Sequence, residues 1–282
     1  MTVRVVTDST AYVPADVAQA SGLCVVPLSV TLSGRAGREG LDVTPADVAR
    51  ALADRRGTVT TSRPAPADFT AAYQRLLDEG ATGVVSVHLS AHLSGTHESA
   101  VLAAKEFGDR VVVVDSATAG MACGFVVLAA AELAEAGGDL AAVTDAATAA
   151  AGRTTTLFYV DTLEFLRRGG RISAASALVG TALSVKPILH VVGGGVVLRE
   201  KVRTAAKALA RLADIAAEAA GESDVDIAVQ HLEAHDRARS LHDELSRRLA
   251  GRVRRSYLSE VGAVVAAHTG PGVIGVAVHR RA

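Results

Sequence analysis

The sequence predicts an α/β protein in two parts: a mainly parallel sheet with helices over residues 1–152, then an α+β domain with a mixed or antiparallel sheet over residues 153–282. Three observations lead there. The first half alternates β-branched runs with alanine-rich helical segments, the pattern of a parallel sheet buried on both faces. After GGDLAAVTDAATAAAGR (137–153) the texture changes to strand-like runs joined by turn signals. The chain has 282 residues, 49% hydrophobic and 21% charged, enough apolar material for two cores.

The elements follow in order. VRVVT (3–7), VVPLSV (25–30), GVVSVH (83–88) and VVVVD (111–115) are apolar blocks of strand length. PADFTAAYQRLLDE (66–79), THESAVLAAKEF (96–107) and MACGFVVLAAAELAEA (121–136) have helical composition, and 137–153 reads as one more helix. Beyond it TTLFYVDTLEFL, VKPILHVVGGGVVLREKVR, DIAVQHLEAH and RRSYLSEVGAVVAAH read as strands with hairpin turns, interleaved with helices over 204–220 and 234–250. The glycines 193–195 between two valine pairs are a hairpin signal.

Bulk properties exclude several function classes. Lys plus Arg total 29 against 30 Asp plus Glu, a net charge of −1, so no general pull toward nucleic acid or an anionic membrane is expected. Aromatics are 3% with no Trp, which removes the stacking platforms of single-strand binders. Cys24 and Cys123 lack metal or redox spacing and read as buried apolar residues in a reducing compartment. The N-terminus enters a strand without a leader pattern, and 261–278, free of Asp, Glu, Lys and Arg, is broken by Pro271 and four glycines. A cytoplasmic protein is expected.

Ligands of α/β sheets sit at the carboxyl ends of strands. Four polar segments follow apolar runs here: Asp8-Ser9-Thr10, Thr61-Ser62-Arg63-Pro64, HLSAHLSGTHESA (88–100) and Asp115-Ser116. Asp8 or Ser116 alone reads as a helix cap; their recurrence at one edge argues for a site. Ser94-Gly95-Thr96 reads equally as a cap and as a ligand cradle, because Gly95 admits close approach and a helix N-terminus favours a carboxylate or phosphate. Ser94 lacks the Gly-x-Ser-x-Gly elbow, being flanked by His92 and Thr96. His88, His92 and His97 fit no metal-ligand spacing and are expected to be solvated or capping. HLEAH (231–235) is not the zinc-protease motif, and GPGVIG (270–275) has no room after it for the helix of a dinucleotide site. LRRGGRI (166–172) and Arg203 read either as surface turns or as anion-facing or partner-facing positions.

Taken together, DST (8–10), TSRP (61–64), HLSAHLSGTHESA (88–100), VDS (114–116), DTLEFLRRGGRIS (161–173), VKPIL (185–189) and HTGPGVIG (268–275) resemble the DegV family of bacterial fatty-acid-binding proteins, in family order over nearly the whole chain. The resemblance implies an N-terminal three-layer α/β domain, a C-terminal α+β domain, and a long-chain fatty acid buried between them. It implies a carboxylate held by Thr61 and Ser94, with Ser62 and Gly95 beside them and His268 and Arg171 near the head group. Arg63 departs from the glutamine of many relatives and His92 from their small or polar residue.

The expected function is therefore a non-catalytic carrier with no cofactor or metal. It would present the fatty acid to a separate ATP-dependent fatty acid kinase, feeding acyl phosphate to phospholipid synthesis, with transient membrane-surface contact and with Arg171 and Arg203 facing the partner. No Walker loop or kinase signature occurs in the chain. The rival is an acyl hydrolase or transferase with Ser94 as nucleophile and His268 as base; a third reading is a lipid sensor sharing the same site.

Overall fold

A computed structural model describes residues 2–54, 57–172 and 185–282. Ser173 of the DTLEFLRRGGRIS motif lies outside the described residues. Four parallel strands form the first sheet, in the order β2 (Cys24–Val26), β1 (Val3–Asp8), β6 (Gly83–His88), β7 (Val111–Asp115). Alternation along the strands sends Val3, Val5, Val85 and Val87 to one face, under α5 (Met121–Glu135) and α6 (Leu140–Gly152). Val6 and Val84 go to the other, under α3 (Pro66–Asp78) and α4 (Thr96–Ala104). This three-layer sandwich explains why the central strands read as unbroken apolar runs.

The second sheet has six strands in the order β10 (Gly195–Val202), β9 (Lys186–Val192), β8 (Thr154–Tyr159), β13 (Ile274–Arg280), β11 (Val225–His231), β12 (Val253–Glu260). It is mixed, since β11 and β12 run parallel and every other neighbouring pair is antiparallel. One face buries Leu157, Ile188, Ile227, Val229, Ile274 and Val276 under α8 (Ala205–Ala220) and α9 (His235–Arg248). The opposite face carries the site. The α/β class with a parallel first sheet and a mixed second sheet is as the sequence predicts.

Two local expectations are corrected. VVPLSV is not one strand: Pro27 has no N–H for a ladder, and the chain divides into β2 and β3 (Ser29–Leu32). β3 belongs to a small antiparallel sheet with β4 (Arg35–Arg38) and β5 (Val59–Ser62), to which α2 (Pro45–Ala53) is attached. Within DTLEFL and EVGAVVAAH the strand reading gives way to short helices, α7 (Glu164–Arg168) and α10 (Ala263–Thr269). The helix expected over 234–250 is α9, which joins β11 to β12, and β9 and β10 form the hairpin signalled by the glycines 193–195. Among the described residues no helix is long and apolar enough to cross a membrane.

Candidate functional site

A cavity opens between the small sheet, the loop after β6, α10 and the free face of the six-stranded sheet. Its volume is about 970 Å³ including the mouth. The walls are mostly aliphatic: Leu28, Leu89, Leu93, Val191, Val196, Val261, Val264, Val265 and Val273, with the ring of Phe158 among them. Thr61, Ser94, Arg171 and His268 line one end of the cavity, and Thr156 and Gln230 line the wall formed by the six-stranded sheet. A mostly apolar pocket with a few placed polar groups is the usual form of a small-molecule site.

Thr61 faces the cavity from β5, where it pairs with Val30 of β3. Its hydroxyl lies 2.8 Å from His268 Nε2. Burial, and then the positive charge of Arg171, hold the His268 imidazole down to about 4, so it is neutral at pH 7. Its Nδ1 is buried and has no hydrogen-bond partner among the described residues. Arg171 is fixed by donating from Nε to the Leu93 carbonyl at 3.1 Å and from its terminal nitrogen to the Gly169 carbonyl. A second depression, with Thr60, Phe165, Arg168 and Gly169, shares Thr61, Arg171 and His268 with the first. The Arg168 guanidinium sits 5.4 Å from the centre of the Phe165 ring.

Ser94 lies just before α4, where its Oγ accepts from Thr96 N at 3.3 Å and meets Thr96 Oγ1 at 2.9 Å. The capping and ligand readings of Ser94 are thus compatible, since the residue also lines the cavity. Nothing pairs it with His268, whose Nε2 is engaged by Thr61. The nucleophile and base of the hydrolase reading are therefore not arranged as a dyad. Ser62 and Arg63 line the mouth, and the Arg63 guanidinium is bound by Glu98 and the Gly95 carbonyl. Gly95 itself is not among the cavity-lining residues; its bare Cα makes room for Arg63, which a Cβ there would strike. Arg203 is exposed beyond the end of β10 and does not line the cavity.

The other polar segments stitch loops together. Asp8 is fully buried and accepts from Thr10 N at 3.0 Å, Leu89 N at 3.1 Å and His88 Nδ1 at 2.9 Å. His88, expected from the sequence to be solvated or capping, is instead fully buried between Asp8 and Ser86. Asp115 accepts from Ala91 N and Ala117 N, tying the loop after β7 to the loop after β6. Among the described residues no group of three or more His, Cys, Asp or Glu could hold a metal ion.

Sequence reasoning missed Phe158 and Gln230, both cavity-lining, and Glu39, which anchors α10. The period-2 pattern of TTTLFY, which puts Thr156 and Phe158 on one face, was the available signal for the first.

Comparisons with known proteins agree with this architecture. The model of a family described as "Uncharacterised protein, DegV family" matches residues 2–281. A DegV domain-containing protein of Streptomyces coelicolor is 54% identical over 279 residues, covering 99% of both chains. A fatty-acid-binding DegV family protein of Thermus thermophilus superposes with a TM-score of 0.93 at 37% identity, covering 100% of both chains. DegV of Bacillus subtilis, described as a fatty acid binding protein, gives 0.89 at 33% identity, again over 100% of both chains. The match over residues 2–281 and these full-length relatives establish that the chain belongs to the DegV family.

Proposed function

We propose that this protein binds a long-chain fatty acid, holds its carboxylate at Thr61 and Ser94, and presents that head group to a separate ATP-dependent fatty acid kinase. The observation that carries the reading is a mostly aliphatic cavity in which Thr61, His268, Arg171 and Ser94 stand near one another, with Thr61 on His268 and Arg171 on the carbonyl next to Ser94. Each buried methylene is worth roughly 0.8 kcal/mol, so such a wall suits an acyl tail. The head group needs donors to replace water, since an unpaired buried carboxylate is costly. With the proton of the neutral imidazole on Nε2, His268 donates to Thr61 Oγ1 and leaves the threonine hydroxyl free to donate to the carboxylate. Arg171 adds positive potential at the same end.

The relatives described as fatty-acid-binding, from Thermus thermophilus and Bacillus subtilis, support the ligand class. A carrier role fits a chain in which Ser94 is paired with Thr96 rather than with a base. The acyl phosphate made by the kinase would feed phospholipid synthesis.

Native mass spectrometry of the purified protein, followed by denaturing extraction and identification of what is released, tests the reading. A stoichiometric fatty acid in the wild type that is lost from the Thr61→Ala/Ser94→Ala double variant is expected. An empty wild type, or a lipid retained equally by the variant, would remove the proposed hook. Adding a fatty acid kinase and ATP tests the second half: acyl phosphate forms from lipid on the wild type and not from the double variant.

A further inference from the structure

The strand register of the second sheet gives the cavity its length. Phe158, Gly275 and Gln230 are paired in one row across β8, β13 and β11, and all three line the cavity. Their neighbours on β13, Ile274 and Val276, point to the opposite face, into the core under α8 and α9. The next row on the cavity side is Thr156, Ala277 and Ala228. Ala277 and Ala228 are packed against Met121, Ala122, Phe125 and Leu128 of α5, so the space closes there. In the other direction the chain leaves β8 for α7 and reaches Arg171, beside His268 and Thr61. The row containing Gly275 therefore lies toward the closed end of the cavity, away from the Thr61–His268 pair, and successive rows on one face stand about 6.6 Å apart.

We infer that Gly275 sets the reach of the cavity, and that the slot left by its missing side chain, between Phe158 and Gln230, takes the terminal carbons of the bound acyl chain. This rests on the fatty-acid reading above and adds to it a determinant of chain length. Gly275 lies in strand backbone, and a Cβ built there meets nothing nearer than Phe158 Cβ at 3.8 Å, Leu157 O at 3.9 Å and Gln230 O at 4.0 Å. A side chain at this position is sterically admissible and projects into the channel.

Gln230 is the fixed wall of the slot. Its Oε1 accepts from Met121 N at 2.8 Å and its Nε2 donates to Ser259 Oγ at 3.3 Å. Gly120, with φ of +68°, comes so close that a Cβ on it would stand 2.8 Å from Gln230 Oε1. A tail that pushed past this amide would break hydrogen bonds of a buried polar group, which nothing apolar restores. Thr156, hydrogen-bonded to Thr118, closes the same end with a second polar contact.

The test compares wild type with Gly275→Ala and Gly275→Val, each delipidated and titrated with a homologous series of saturated fatty acids. An extended chain advances about 1.3 Å per carbon, so the valine variant is expected to prefer acids shorter by roughly two to four carbons. Its affinity for the longest acid the wild type binds falls at least about tenfold, while short acids bind as before. The alanine variant shifts the same way by less, and it carries the test if the valine variant does not fold. Identical chain preference in wild type and folded variants overturns the inference, as does equal loss of all chain lengths. A wild type that binds none of the series overturns the fatty-acid reading itself.

Discussion

Thr61 Oγ1 stands 2.8 Å from His268 Nε2, although 207 positions separate the two residues in the chain. The contact joins β5 of the small sheet to the last turn of α10, and it fixes the end of the cavity that Arg171 and Ser94 also line.

Thr61→Ala removes the hydroxyl proposed to face the ligand and leaves His268 Nε2 without its partner. Hydrogen bonds to charged groups contribute about 1.5–3 kcal/mol, so fatty-acid affinity is expected to fall roughly 10- to 100-fold. Thr61→Ser keeps the hydroxyl and should recover most of it. Titration of delipidated protein with a fluorescent fatty acid decides; equal loss in both variants would point to packing rather than to the hydrogen bond.

Stability should fall as the solution is acidified below neutrality. His268 and His279 are both held down to about 4 in the folded protein, chiefly by burial, against an ordinary value of 6.5. Between those limits the unfolded chain takes up protons that the folded chain refuses, so stability present above pH 6.5 is lost progressively toward pH 4. Each histidine contributes on the order of 2–3 kcal/mol to that loss. Urea unfolding at pH 7 and pH 5 should show a lower midpoint at pH 5, and His268→Gln should reduce the difference by about half, His279 supplying the rest.

The two-part architecture was legible because its signals are local. Unbroken valine runs mark strands buried on both faces, and three glycines between valine pairs mark a hairpin. The small sheet was not, because β3 to β5 are short and half exposed, with no sustained periodicity to separate them from loop. For the site, the resemblance singled out Thr61, Ser94, Arg171 and His268, which the fold does bring to one cavity. What a motif could not give was the far wall: Phe158, Gly275 and Gln230 come from three strands, and only their register places them in one row. The burial of His88 was likewise hidden, since its partner Asp8 lies 80 positions away.

Asp8 is expected to matter for stability more than for binding. Its buried carboxylate holds the ends of β1 and β6 together through Thr10, His88 and Leu89. Asp8→Ala strands those donors, a loss on the order of 3 kcal/mol or more. Because Asp8 does not line the cavity, the affinity of the remaining folded protein should change little. Parallel urea and lipid titrations separate the two effects; a variant of normal stability and poor binding would contradict this role.

Gly262→Ala tests whether α10 must be held from its far end for the head-group contact to form. Glu39 accepts from Val264 N at 2.7 Å and from Tyr12 Oη at 3.0 Å, Val265 N donates to Tyr12 Oη at 3.1 Å, and Ser9 donates to the other Glu39 oxygen. Gly262 passes so close to this cluster that a Cβ would overlap the Tyr12 ring and crowd Glu39. The substitution therefore displaces either the cluster or the start of α10, at a cost of about 1–3 kcal/mol. The helix is only seven residues long, so a shift at Val264 is carried to His268 and stretches its bond to Thr61. Under conditions where the variant is fully folded, fatty-acid dissociation should be faster by roughly tenfold, the worth of one such hydrogen bond. An unchanged dissociation rate alongside a lowered urea midpoint would show that the cluster stabilises the fold without positioning His268.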